Sequence, residues 1–231
     1  MAGRTSTGVG RPPGRVISRR QIERAQRFAR PVLTRELGED AAAEVLRRQR
    51  DGYVTVAPVV PPLRSPMSRM TLRLGVDVLV LDRALPAGLA PARRTAVLSG
   101  FVDNWMAGQF DTAVSRWVYR HRWPHLILRR WVWFWTANRL DEPAGWRFRF
   151  HPGNRDLFYG LDVTRCGIVA FLAGQGAADL APLICRGDEA ITRFLPPGVE
   201  FRRTQVIAQG APYCDFRYHN VPAPPRQDVP A

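Results

Sequence analysis

Lysine is absent from this chain. All 34 basic residues are arginine, against 20 acidic ones, for a formal net charge of +14. So complete a preference reads first as a compositional bias, although a basic surface favours anionic partners. Long hydrophobic runs are also missing. No apolar stretch approaches the ~20 residues of a membrane span, and the most apolar segment, residues 74–81, carries Asp77. No apolar signal-peptide core follows the N-terminal arginines, even after Arg19-Arg20, so the expectation is a cytoplasmic protein. Cysteine is scarce and odd in number, at three. That excludes a dense disulfide framework and implies free thiols or metal ligands in a reducing compartment. Nucleophile-elbow, Walker and dinucleotide fingerprints are lacking. The nearest approach, Gly174-Gln175-Gly176, reads as a helix-ending turn. Of four histidines, His121 and His125 flank Pro124 among arginines, while His151 and His219 are isolated. All four read as surface or internally satisfied groups rather than ligands.

What is present is an ordinary globular composition, 45% hydrophobic and 23% charged over 231 residues, enough for one large domain or two small ones. The basicity is local. Residues 1–30 hold eight arginines and one acid, and residues 114–150 hold eight and two, whereas residues 151–231 hold eight of each.

Proline, glycine and apolar periodicity divide the chain into a basic tail (1–17), a mainly helical part (18–144), an α+β part sharing its core (145–220) and a Pro-rich tail (221–231). Helices are expected over 18–30, from Pro31 to about residue 50, and over 67–85, where Met70, Leu74, Val78 and Leu81 recur at helical spacing. Others are expected from Pro91 to about residue 119 and, after Pro124, to about residue 139. Residues 51–66 read as a loop. Alternation in Trp146-Arg147-Phe148-Arg149-Phe150 predicts a strand. Residues 157–174 and 177–195 read as helices, and 200–209 with 213–219 as a closing hairpin turned at Gly210-Ala211-Pro212. The fold class is therefore α+β, with a helical N-terminal part packed against a C-terminal helix pair and an antiparallel hairpin or sheet.

Each cysteine sits beside charged or polar residues. Cys185 and Asp188 are three apart, so they share a helical face, where the carboxylate can move a proton. Asp162 and Cys166, four apart, could share another. On the expected last strand Cys214 and Phe216 point one way and Asp215 and Arg217 the other. Arg217 could bind a substrate carboxylate or pair with Asp215, with Arg202, Arg203 and Thr204 adding to an anion-binding edge. The spacing Cys-x18-Cys-x28-Cys contains no Cys-x-x-Cys pair, unlike structural zinc knuckles. Three thiolates, or thiolate with Asp, could still hold a metal. Finally, Trp131-Val132-Trp133-Phe134-Trp135 follows Arg129-Arg130. It reads as a buried helix, a pocket wall or a dimer contact, against base stacking or membrane anchoring.

The C-terminal stretch resembles the L-2-amino-thiazoline-4-carboxylic acid hydrolase family. The resemblance rests on Cys166-Gly167, Cys185-Arg186-Gly187-Asp188, Arg203-Thr204 and Gly210-Ala211-Pro212-Tyr213-Cys214-Asp215-Phe216-Arg217. These stand in order over about 157–219, roughly a quarter of the chain. The resemblance implies hydrolytic opening of a cyclic isothiourea to N-carbamoyl-cysteine, or of a related ring in specialised metabolism. Asp188 would carry a proton, and Cys185, Cys166 or Cys214 would add as nucleophile. Arg217 or Arg203, near Thr204 and Asp215, would hold the substrate carboxylate. A Zn or Mn ion on the three thiolates would be the other route to a nucleophile, the absence of a compact ligand pair leaning towards thiol chemistry. The alternative is a non-catalytic thiol or metal sensor for a small ligand on the same scaffold. Expected partners are a small-molecule substrate and a second copy of the chain, with no specific nucleic acid and no transmembrane segment.

Overall fold

The computed structural model describes residues 17–110, 112–141 and 143–222. Most of both expected tails lies outside the described residues. The architecture is α+β: a helical N-terminal half packs against one face of a four-stranded antiparallel sheet of order β1-β2-β4-β3. A single buried cluster runs from Ala25 to Tyr218 and joins the two parts.

Helix α1 (Arg19–Leu37) starts where the Ser18 hydroxyl accepts the Gln21 amide hydrogen. It continues through Pro31, where a helix boundary was expected. Proline forfeits one backbone bond, but Ala25, Ala29, Val32 and Leu33 are buried on both sides of it, so packing holds the helix together. The real break is Gly38, whose φ of 85° suits a residue without Cβ. Helix α2 (Glu39–Val56) then absorbs the first residues of the expected loop. Helix α3 (Pro66–Ala84) is capped by Ser65 and carries buried residues all round, as a central helix must. Helix α4 (Pro91–Phe110) covers it. Within this layer the Asp77 carboxylate accepts hydrogen bonds from Tyr53 (2.8 Å) and Trp105 (3.2 Å).

The chain then breaks into α5 (Ala113–Arg120) and a continuous helical rod. The rod comprises α6 (Arg122–Ile127), a π-helical stretch Leu128–Trp135 and α7 (Thr136–Leu140). Pro124 sits in the first turn of α6, where its missing N–H costs little, so it opens the rod instead of interrupting it.

Strands β1 (Arg147–His151), β2 (Leu157–Arg165), β3 (Val199–Arg202) and β4 (Cys214–Asn220) form the sheet. Residues 157–165, expected as helix, are the central strand β2; only α8 (Gly167–Gly174) is helical there. Phe158, Tyr159, Val163 and Thr164 favour extended backbone, and Tyr159, Leu161 and Val163 alternate into the core. The expected 177–195 helix is a chain of short turns including α9 (Ala181–Cys185) and α10 (Gly187–Ala190). The closing hairpin pairs β3 with β4, but β3 ends at Arg202 and residues 207–209 form a 3₁₀ turn.

Candidate active site

All three cysteines and Asp188 line one cavity, of about 160 Å³, between the helical layer and the inner face of the sheet. Cys166 enters as the residue before α8, Cys185 from the end of α9, Asp188 from α10 and Cys214 from β4. On β4 the expected alternation holds, with Cys214, Phe216 and Tyr218 facing the cavity. Most of the wall is apolar, with Trp105, Trp133, Phe134, Trp146 and Phe148 prominent.

The Cys166-Gly167 pair has a packing reason. A Cβ on Gly167 would stand 2.8 Å from Cζ3 of Trp146, and Trp146 is itself buried. Gly167→Ala should therefore displace that wall and cost about 1–3 kcal/mol of stability, the usual range for overpacking. Urea denaturation checks this: an unchanged midpoint would mean that Trp146 yields freely.

Burial raises all three thiol pKa values. Cys166 is pushed up to about 11, even though the amides of Ile168 and Val169 favour its anion. Cys185 is raised further, by burial and then by the Asp188 charge, and Cys214 is raised by burial against the Ile207 amide that it accepts. In activated cysteines a cation or helix N-terminus outweighs burial; here the α8 amides at Cys166 and Arg203 beside Cys185 do not. At neutral pH these are thiols.

Asp188 is also raised by burial, while Arg203 pulls it down. Arg203 donates from Nη1 to Asp188 (2.6 Å) and from Nη2 to the Cys185 carbonyl (3.1 Å). Its side chain is 9% exposed and that of Asp188 30%. Arg203 thus positions Asp188 and ties the two halves of the Cys185–Asp188 motif together. Breaking a fully buried pair costs about 3–5 kcal/mol; with Asp188 partly open, Arg203→Met should cost about 2–3 kcal/mol, measurable by thermal or urea unfolding.

The remaining sequence candidates lie elsewhere. Arg217 donates to Asp162 (2.8 Å) on the outer face of the sheet, where Asp162 also meets His151 (2.8 Å). Asp162 is therefore part of an outer ion-pair cluster and shares no helical face with Cys166. Asp215 accepts from the Thr204 and Gln205 amides and the Thr204 hydroxyl, so Asp215 and Thr204 shape the β3–β4 connection. Neither they nor Arg217 line the cavity. Among the described residues, no group of three or more His, Cys, Asp or Glu side chains is arranged to hold a metal ion. Nor, among the described residues, is any helix long and apolar enough to cross a membrane.

Sequence reasoning missed Arg129. It projects from the π-helical stretch into the cavity and is 8% exposed, with Nε and Nη2 buried and without a hydrogen-bond partner. Its guanidinium lies 4.7 Å from the Trp133 ring centroid and 5.3 Å from that of Tyr119. Burial works against its charge, while the nearby tyrosines and Asp188 favour it. Beneath it His125 is buried, bonded to the Tyr159 hydroxyl (2.7 Å), and held neutral by burial and the Arg129 charge, with its pKa lowered to about 3. The available signal was spacing: His125, Arg129 and Trp133 recur every four residues, one inward stripe of the rod.

No curated protein and no solved structure matches the chain significantly. A family model does match, and the match begins well before the first motif at Cys166, taking in Arg129, all three thiols and the sheet but for the last two residues of β4: over residues 119–218 the chain is similar to the L-2-amino-thiazoline-4-carboxylic acid hydrolase family.

Proposed function

We propose that this protein is a hydrolase that opens the ring of a small cyclic amidine or isothiourea bearing a carboxylate. The substrate is of the 2-aminothiazoline-4-carboxylate type and the product an N-carbamoyl amino acid. The carrying observation is Arg129, a buried guanidinium with two unpartnered nitrogens in the cavity that Asp188 lines. Buried donors left without acceptors are costly, and a substrate carboxylate satisfies these. The family match supports hydrolysis as the reaction class.

The substrate is zwitterionic, with a carboxylate at one end and an amidinium at the other. Arg129 takes the carboxylate, and Asp188, held by Arg203, faces the amidinium. In an apolar enclosure both interactions are stronger than in water. Asp188 then removes a proton from a water that adds to the electrophilic carbon between ring sulfur and nitrogen. Collapse of the tetrahedral adduct breaks the carbon–sulfur bond, the departing sulfur receives that proton, and the proton that the amidinium brought leaves to solvent as the urea carbonyl forms. One water is added, no ammonia leaves, and the product carries a free thiol and a urea. Burial, by raising the Asp188 pKa, makes its carboxylate a stronger base. In this scheme the three thiols, being protonated, form a polarizable wall around the ring sulfur.

The experiment is mass spectrometry of purified protein incubated with 2-aminothiazoline-4-carboxylate, with and without Zn²⁺ or Mn²⁺, beside Cys185→Ala. A product one water heavier, retained in the variant, supports water addition. A substrate adduct on Cys185 in acid-quenched protein would replace water by the thiol as nucleophile. Turnover only with added metal would replace Asp188 as the source of the nucleophile. No product from folded protein would reject this substrate.

A further inference from the structure

The pocket accounts for one side of the rod from α6 to α7. Its other side carries large apolar side chains that are half or more exposed. Trp123 is 75% exposed, Ile127 53%, Trp131 54% and Trp135 50%. They recur every four residues. In an α-helix a four-residue step slightly overshoots a full turn; in the wider π-helix it falls slightly short. The change from α6 to the π-helical stretch reverses the drift, so these side chains keep one straight stripe. The opposite side holds His125, Arg129, Phe134 and Ala137, all buried. Val132 is exposed beside the stripe, and the adjoining α5 exposes Val114 and Trp117.

Arginines surround this apolar face. Residues 112–140 contain six and no acidic residue. Arg120, Arg122, Arg130 and Arg139 are exposed, and the Arg130 and Arg139 guanidiniums lie 5.1 Å and 5.7 Å from the ring centroids of Trp131 and Trp135. The nearest following acid described, Asp141, is buried and accepts from the Arg64 and Ser65 amides.

We propose that α5 and this stripe form a docking face for an anionic lipid bilayer, with the rod lying in the interfacial plane. A high density of exposed tryptophan and aliphatic side chains, rimmed by arginine on a helix too polar to span, is the composition of an interfacial helix. Arginine stems can lie along the apolar surface while their heads reach lipid phosphates. Val114, Ile127 and Val132 gain from hydrocarbon and have no stacking role on nucleic-acid bases. A second copy of the same face would bring like-charged arginine rims together.

The test uses the full chain with vesicles of phosphatidylcholine alone or mixed with phosphatidylglycerol, some carrying brominated acyl chains. Expected are salt-sensitive co-sedimentation with the anionic vesicles, a blue shift of tryptophan emission and quenching by the brominated chains. The N-terminal arginines alone would sediment the protein without quenching. The triple variant Trp123→Gln, Trp131→Gln, Trp135→Gln should lose partitioning by at least about tenfold. Arg120→Glu with Arg130→Glu should lose it by a similar factor while keeping the tryptophans. Circular dichroism of both variants should match the parent, since the changed side chains are exposed. Absence of quenching by anionic bilayers overturns the proposal. So does quenching by single-stranded DNA in its place, or a dimer that shields the same tryptophans from acrylamide without lipid.

Discussion

Arg129→Met is expected to raise KM for a carboxylated substrate by roughly 100- to 1,000-fold, matching the several kcal/mol lost when one partner of a buried charge pair is removed. Stability should change little. In the free protein Arg129 Nε and Nη2 have no hydrogen-bond partner, and a flexible apolar side chain relieves the desolvation of those donors while forfeiting the attraction of the nearby rings and Asp188. A purely structural arginine would behave oppositely, its loss destabilising the fold and leaving substrate preference intact. Lysine should rescue poorly, because a compact ammonium cannot present two nitrogens to one carboxylate. The decisive comparison uses 2-aminothiazoline without the carboxylate. The parent should strongly prefer the carboxylated ring, and Arg129→Met should handle both alike. A variant that keeps the preference would remove Arg129 from substrate binding.

Asp188→Asn should reduce kcat by about 100- to 10,000-fold, the usual contribution of a general base, with a smaller change in KM. The amide keeps the shape and can still face Arg203, but it cannot take a proton from water. The pH profile carries independent information. A base acts when ionised, so the rate should rise with pH through the Asp188 pKa, which burial sets above the ordinary carboxylate value. Arg203 holds that pKa down; Arg203→Met should therefore shift the rising limb to higher pH, provided the variant remains folded at the assay temperature. A rate falling with pH over the same limb would make Asp188 the acid of the rate-limiting step. An unmoved limb in Arg203→Met would assign it to another group.

Much of the site could be read from short spacings. Cys185 and Asp188 are three residues apart, and one helical turn is enough to turn both to the same cavity, even though α9 ends and α10 begins between them. Cys214 and Phe216 alternate with Asp215 and Arg217, and a strand sorts them to opposite faces whatever surrounds it. The choice of anion-binding residue was less accessible. Arg203, Arg217 and Arg129 are chemically identical in a chain whose every basic residue is arginine. What separates them is partner geometry: Arg203 meets Asp188, Arg217 meets Asp162, and Arg129 has an unfilled donor set.

The sequence by itself determined the α+β class, the division into a helical half and a sheet-bearing half, and the local facing of Cys185, Asp188 and Cys214. Periodicity, turn residues and side-chain alternation act over a few residues, and tertiary packing only selects among their outcomes. The tertiary structure decided the rest. It kept α1 intact through Pro31, where burial on both sides outweighs one lost backbone bond, and it made residues 157–165 the central strand between β1 and β4, where burial on the inner face of the sheet and the extended preference of Phe158, Tyr159 and Val163 act together. It also brought Cys166, Cys185 and Cys214, separated by 18 and 28 residues, to one cavity. The π-helical turn set Arg129 inward and Trp131 outward. Which charge in a chain lacks a partner depends on every other side chain's position, and no local pattern records it.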